Sequence, residues 1–170
     1  MTAAAITQPL IEELRTEATA PRRMLARVPE DRLEWRPHPR SMSLGQLALH
    51  IAQIPGALSN LLATDGFDAV NANFSPASPK DRAEIFAALD TGLERAEAFI
   101  GGLDERALSH RWEMTNRGAP VFALARAQLV RSLVFNHWYH HRGQLSVYLR
   151  LLEIPVPVMY GRSADENPFA

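Results

Sequence analysis

The stretch VRSLVFNHWYHHRGQLSVYLRLL, residues 130–152, decides how the rest of the chain is read. Its apolar residues Val130, Leu133, Val134, Leu145, Tyr148, Leu151 and Leu152 recur at intervals of three and four, the period of one helix face. The pattern predicts the longest helix of the protein, from Val121 to Leu152. His137 and His141 stand four apart on the same stripe, so both imidazoles leave one face, near enough to hold one metal ion and directed at the core. A buried ring nitrogen without a partner costs roughly 1–3 kcal/mol. Two in adjacent turns need compensation, and at this point hydrogen-bonded core histidines and a bound metal are both open.

Three more helices precede this one. The first runs from about Gln8 to Arg27, with Thr7 as cap, Pro9 in its first turn, and Leu10, Leu14, Met24, Leu25 and Val28 facing inward. The second runs from about Leu44 to Ala63, opened by a capping box of Ser43 and Gln46. His50 lies on its inner stripe with Leu47, Ile51 and Ile54, and Pro55 predicts a kink beside it. The third starts at Ser78 and Pro79, buries Ile85, Leu89, Leu93, Ala96, Phe99 and Ile100, and ends at Gly101-Gly102. Between the third and fourth, Arg111 to Met114 can be extended and Asn116-Arg117-Gly118 reads as a turn. Four amphipathic helices without a strong strand pattern predict an all-α four-helix bundle with long connecting loops, at Pro29–Met42, Thr64–Ala77 and Leu103–Pro120. The proline-bearing tail from Glu153 is expected to be irregular and to pack over one end.

The 170 residues fit one domain, 1–170. Hydrophobic residues at 46% and charged residues at 22% place the chain among folded globular proteins. A net charge of −1 and a pI near 6.6 give no reason to expect nucleic acid or an anionic membrane as partner. The start of the chain lacks signal-peptide character and no segment approaches the ~20 apolar residues of a membrane span, so a cytoplasmic protein is expected. The absence of cysteine excludes disulfides, thiolate ligands and a cysteine nucleophile. Histidine is the remaining ligand of intermediate softness, and it suits zinc, nickel, iron or copper better than magnesium or calcium. His38, in a proline-rich loop, and His110, in an irregular one, read as ordinary exposed histidines.

Three stretches, SLGQLALHIA at 43–52, NHWYHHRGQL at 136–145 and YGRSADE at 160–166, together with Trp35-Arg36-Pro37, resemble the DinB-like, YfiT-like family of metalloenzymes. The likeness extends over nearly the whole chain. It implies an up-down-down-up bundle, often a homodimer, with metal ligands from the second helix and, four apart, from the last: here His50, His137 and His141. His140 stands about 100° from His141 around the helix. The family motif puts the ligand directly before Arg142-Gly143-Gln144, which leaves His140 as a supporting or interface residue. Gln144 is spaced to hydrogen-bond a ligand imidazole or a water, and Tyr148 to contact substrate; a buried amide and a packing ring explain the two equally well.

Three histidine ligands leave a coordination position open, as catalytic zinc sites do. The expected cofactor is a divalent transition metal, zinc, nickel or iron. Members of the resembled family join low-molecular-weight thiols such as bacillithiol to electrophiles, and one is a mycothiol-dependent isomerase. The resemblance thus implies a metal-dependent thiol S-transferase whose small-molecule substrate brings the sulfur that this chain lacks. A metal-dependent hydrolase would need a general base; the histidine stripe of the last helix carries no carboxylate, which leaves one from the first helix, such as Glu13 or Glu17. A reading from another class is a non-catalytic, stress-related dimer that binds metal or ligand, for which Trp138 and Tyr139 fit an exposed interface and equally fit packing within one chain.

Overall fold

The computed structural model describes residues 2–73 and 77–169; residues 74–76 of the expected Thr64–Ala77 linker lie outside them. Helices α1 (Ala3–Glu17) and α2 (Thr19–Leu25) form the first arm, broken at Ala18. Pro9 lies inside α1, and Thr7 is buried within it instead of capping it. Helix α3 (Leu44–Leu62) starts as its sequence dictates. The Ser43 hydroxyl accepts from the Gln46 amide at 3.2 Å and the Gln46 side chain accepts from the Ser43 amide at 2.9 Å. The next two orphan amides, of Leu44 and Gly45, donate to the Trp35 and Leu33 carbonyls, both at 2.8 Å, which fixes the entry of α3 against the preceding loop. Helix α4 (Arg82–Gly101) is capped by Asp81, whose carboxylate accepts from the Glu84 amide at 2.8 Å, so it begins later than Ser78 and Pro79 suggest.

The expectation of an all-α four-helix bundle is overturned by a three-stranded mixed sheet. Strand β1 (Gly66–Asp68) pairs in parallel with β2 (Arg111–Asn116), which pairs antiparallel with β3 (Ala119–Ala125), in the order β1-β2-β3. Helix α5 (Glu105–Ser109) lies just before β2. Arg117 and Gly118 both take positive φ, 54° and 76°, as a two-residue turn matched to strand twist requires. Asp68 ties the sheet together by accepting the amides of Arg117 and Gly118, both at 2.9 Å. The segment Val121–Ala125, counted with the last helix on periodicity, is held in β3 by cross-strand partners: Leu124 opposite the fully buried Trp112, and Phe122 opposite Met114.

The last helix begins after the sheet, as α6 (Arg126–Leu129), a π-helical stretch at Val130–Asn136, and α7 (His137–Leu151). Buried Arg126 joins sheet to helices, donating to the Leu62, Thr64 and Ala107 carbonyls at 2.7, 3.0 and 2.9 Å. Helix α3 packs against both α4 and α7, and α1 packs on α4. The core between them holds Leu14, Leu47, Ile51, Ile54, Leu89 and Leu145 among its buried residues. The tail lies against α2 and α7. Glu166 accepts from Arg23 and Arg27 at 2.6 and 2.9 Å, and Asp165 accepts from Arg150 and from the Val156 amide. Among the described residues, no helix is long and apolar enough to cross a membrane.

Candidate metal centre

The π-helical stretch directly before His137 changes which face of α7 is inside. Each π residue turns through less than the α-helical angle, so the buried face runs Val134, Trp138, Arg142, Leu145 and Leu149, while Leu151 is left 57% exposed. His141, itself buried, and half-buried His137 lie along one flank of that row. That flank is where α3 meets α7, and there His50 joins them.

One ring nitrogen from each of His50, His137 and His141 falls within 4.8 Å of the others. The His50 ring is 5.3 Å from that of His137 and 4.5 Å from that of His141, centroid to centroid. His141 donates through Nδ1 to the Gln144 side-chain oxygen at 2.7 Å, which leaves its Nε2 with a lone pair. His137 turns its own Nε2 toward that nitrogen. The two Nε2 atoms stand 2.7 Å apart, so the lone pair of His141 points into the space between the rings, where a metal ion or a His137 N–H can meet it.

Burial lowers the pKa of His50 and of His137, with each depressed further by a neighbouring histidine. Burial likewise pushes His141 down to about 4 against the opposing hydrogen bond to Gln144. The rings are thus neutral at pH 7, the state in which imidazole ligates metals. Metal–nitrogen bonds of about 2.0–2.1 Å need ligand nitrogens a little farther apart than the closest pair here and nearer than the widest. Small ring rotations supply both, so the three residues fit a divalent transition ion.

The other expected residues are placed as follows. Gln144 orients His141, as its spacing allowed. Exposed His140 stands with its ring 4.9 Å from that of His141 and outside the three-nitrogen cluster. Tyr148 donates to the Met42 carbonyl at 3.2 Å and meets the Trp35 ring edge-on at 5.8 Å, tying α7 to the loop that leads into α3. His38 is exposed in its loop, and the His110 ring contacts the Asp65 carbonyl at 3.2 Å, away from the cluster.

Glu13 and Glu17 are both committed on the far flank of the last helix. Glu13 takes a bidentate bond from Arg131, at 2.6 Å on each oxygen, and a third from the Tyr139 hydroxyl, and the Arg131 bond holds its carboxyl below the usual range. Glu17 accepts from Arg142 at 2.8 Å and from Tyr160 at 2.8 Å. Trp138 is fully buried and Tyr139 half-buried, which removes the exposed aromatic pair expected there. Periodicity did not single out Trp35 as a support of the site; it was legible only through the family likeness.

With this geometry in view, the comparisons are consistent. The DinB family model matches residues 3–167, and the chain belongs to that family. A crystal structure of a DinB-like protein from Bacillus subtilis superposes with a TM-score of 0.67 at 18% identity, covering 91% of this chain and 99% of that one. One from Bacillus cereus gives 0.65 at 19% identity, covering 94% and 98%. No curated protein matches the sequence.

Proposed function

We propose that the protein is a metal-dependent transferase that joins a small-molecule thiol to an electrophile, with His50, His137 and His141 as the ligands of one divalent transition ion. The observation that carries the metal assignment is the convergence of one ring nitrogen from each of His50, His137 and His141 within 4.8 Å of the others. A bound divalent ion would supply positive charge that favours the thiolate form of a substrate thiol.

The chain's own part is to hold three neutral donors ready. Gln144 sets the orientation and tautomer of the His141 ring, and burial disfavours protonation of the three rings. Three ligands leave room for a substrate atom. In the reaction, a sulfur–carbon bond forms while the thiol proton and the leaving group on carbon depart. The absence of cysteine from the chain agrees with a sulfur that arrives from outside. A hydrolase is disfavoured because Glu13 and Glu17, the carboxylates offered by the sequence, are each bound to arginine and tyrosine.

Elemental analysis of protein purified without chelator tests the first half of the proposal. About one Zn, Ni or Fe per chain is expected, with none in His137→Ala/His141→Ala. Thiol-dependent turnover of an electrophile such as a chloronitroarene tests the second. Metal in the double variant would remove the site, and thiol-independent turnover would remove the transferase.

A further inference from the structure

Pro55 sits inside α3 and has no N–H, so the Ile51 carbonyl four residues earlier lacks its usual helical donor. A buried carbonyl in that state needs another partner. It has one from a different helix: the indole N–H of Trp138 donates to the Ile51 oxygen at 3.0 Å, within the buried interior. Ile51 is the residue after His50, and Trp138 is the residue after His137. The bond therefore joins α3 to α7 one residue from a histidine on each side.

We infer that Trp138 is a positioning residue: through the carbonyl that Pro55 leaves free, it sets the register of α7 on α3 and so the approach of His50 to His137 and His141. The alternatives in the same region are less directional. Leu47, Ile51 and Leu145 are fully buried and resist separation of the helices, but apolar contact permits sliding. The indole bond does not, because a shift by one residue presents a carbonyl that already has its helical partner. Tyr148, donating to Met42, fixes the same helix pair nearer the start of α3, so the two bonds together hold both position and tilt.

The functional meaning of this device rests on the metal-site reading above, whereas its geometry does not, and the experiment separates them. Metal-free wild type, Trp138→Phe and Pro55→Ala are compared by NOESY between imidazole ring protons, with Ile100→Ala as a core variant away from the site. Wild type and Ile100→Ala are expected to show His50–His141 cross-peaks, and folded Trp138→Phe to lose them. Should Trp138→Phe fail to fold, Pro55→Ala decides, since it keeps the indole in the core but gives the carbonyl back a helical donor. There the indole N–H is expected to exchange at least tenfold faster and the cross-peaks to weaken. Unchanged cross-peaks in a folded Trp138→Phe, or unchanged indole exchange in Pro55→Ala, overturn the inference. Cobalt(II) titration of the same proteins reads the consequence, with affinity about tenfold weaker in Trp138→Phe. Equal affinity overturns the link to the site. A wild type that binds no cobalt overturns the metal reading instead, and the cross-peaks still decide the positioning.

Discussion

Gly56 of α3 and Gly92 of α4 meet so closely that a Cβ on Gly56 would stand 2.7 Å from the Gly92 Cα, and one on Gly92 would stand 2.9 Å from the Ala52 carbonyl oxygen. Both obstacles are backbone, which cannot rotate aside. Gly56→Ala is therefore expected to force the helices apart at a cost of about 2–3 kcal/mol. Urea denaturation measures it; an unchanged midpoint would mean that the crossing has slack.

Arg142 is 2% exposed and occupies the core face of α7. Its charge is answered by Glu17 and by the rings of Trp138, Tyr139 and Tyr160, the guanidinium lying 4.7 Å from the Tyr139 centroid. Removing the carboxylate leaves a buried cation uncompensated, so Glu17→Ala is expected to cost about 3 kcal/mol or more. Arg142→Met, which removes the charge and keeps most of the volume, should cost clearly less. Reversal of that order in denaturant melts would show that Glu17 contributes little.

Acid should weaken the metal-free protein through its histidines. In the folded chain His50, His137 and His141 titrate below 6.5, His141 near 4, while in the unfolded chain they return to about 6.5. Between these values the unfolded state binds more protons, so stability rises with pH. It is complete above about pH 7 and falls as the pH drops from about 6.5 toward 4. Denaturation midpoints measured across that window in wild type and His141→Gln check this. The variant's profile should be flatter, and equal slopes would remove His141 from the account.

Arg117 holds φ at 54° in the hairpin turn. A β-branched side chain tolerates that conformation poorly, so Arg117→Val should lose about 1–2 kcal/mol. Arg117→Gly should fall within about 0.5 kcal/mol of wild type, relief of strain offsetting the freedom gained by the unfolded chain. Thermal melts of the two variants distinguish turn geometry from any contact of the arginine itself.

Local chemistry was the legible part of this sequence. The Ser43–Gln46 box, the extended Arg111–Met114 and the turn at Asn116-Arg117-Gly118 each depend on neighbours in the chain, and each is present. His50, His137 and His141 were readable from helix spacing and family likeness, and the structure brings them together. What stayed hidden depends on distant partners. Val121–Ala125 has a composition compatible with a helix, and only Trp112 and Met114 opposite make it a strand. The three residues of β1 carry no periodicity at all. The π-helical stretch was equally invisible, because its apolar spacing fits an α-helix; its effect was to bury Trp138 and Arg142 and to move the histidines to the flank.

The parallel pairing of Gly66–Asp68 with Glu113–Thr115 constrains the order in which the chain assembles. A hairpin can zip from its turn, but two parallel strands are joined only by a crossover, which here consists of α4 and α5. Pairing them closes the whole loop that carries α4 and α5, a loop-closure entropy that the β2–β3 hairpin does not lose. Arg126 takes the Leu62 and Thr64 carbonyls from before that crossover and the Ala107 carbonyl from within it, and so fastens its two ends. The three histidines straddle the same crossover, His50 before it and His137 and His141 after it, so the candidate metal site closes over the same long stretch of chain as the parallel strands.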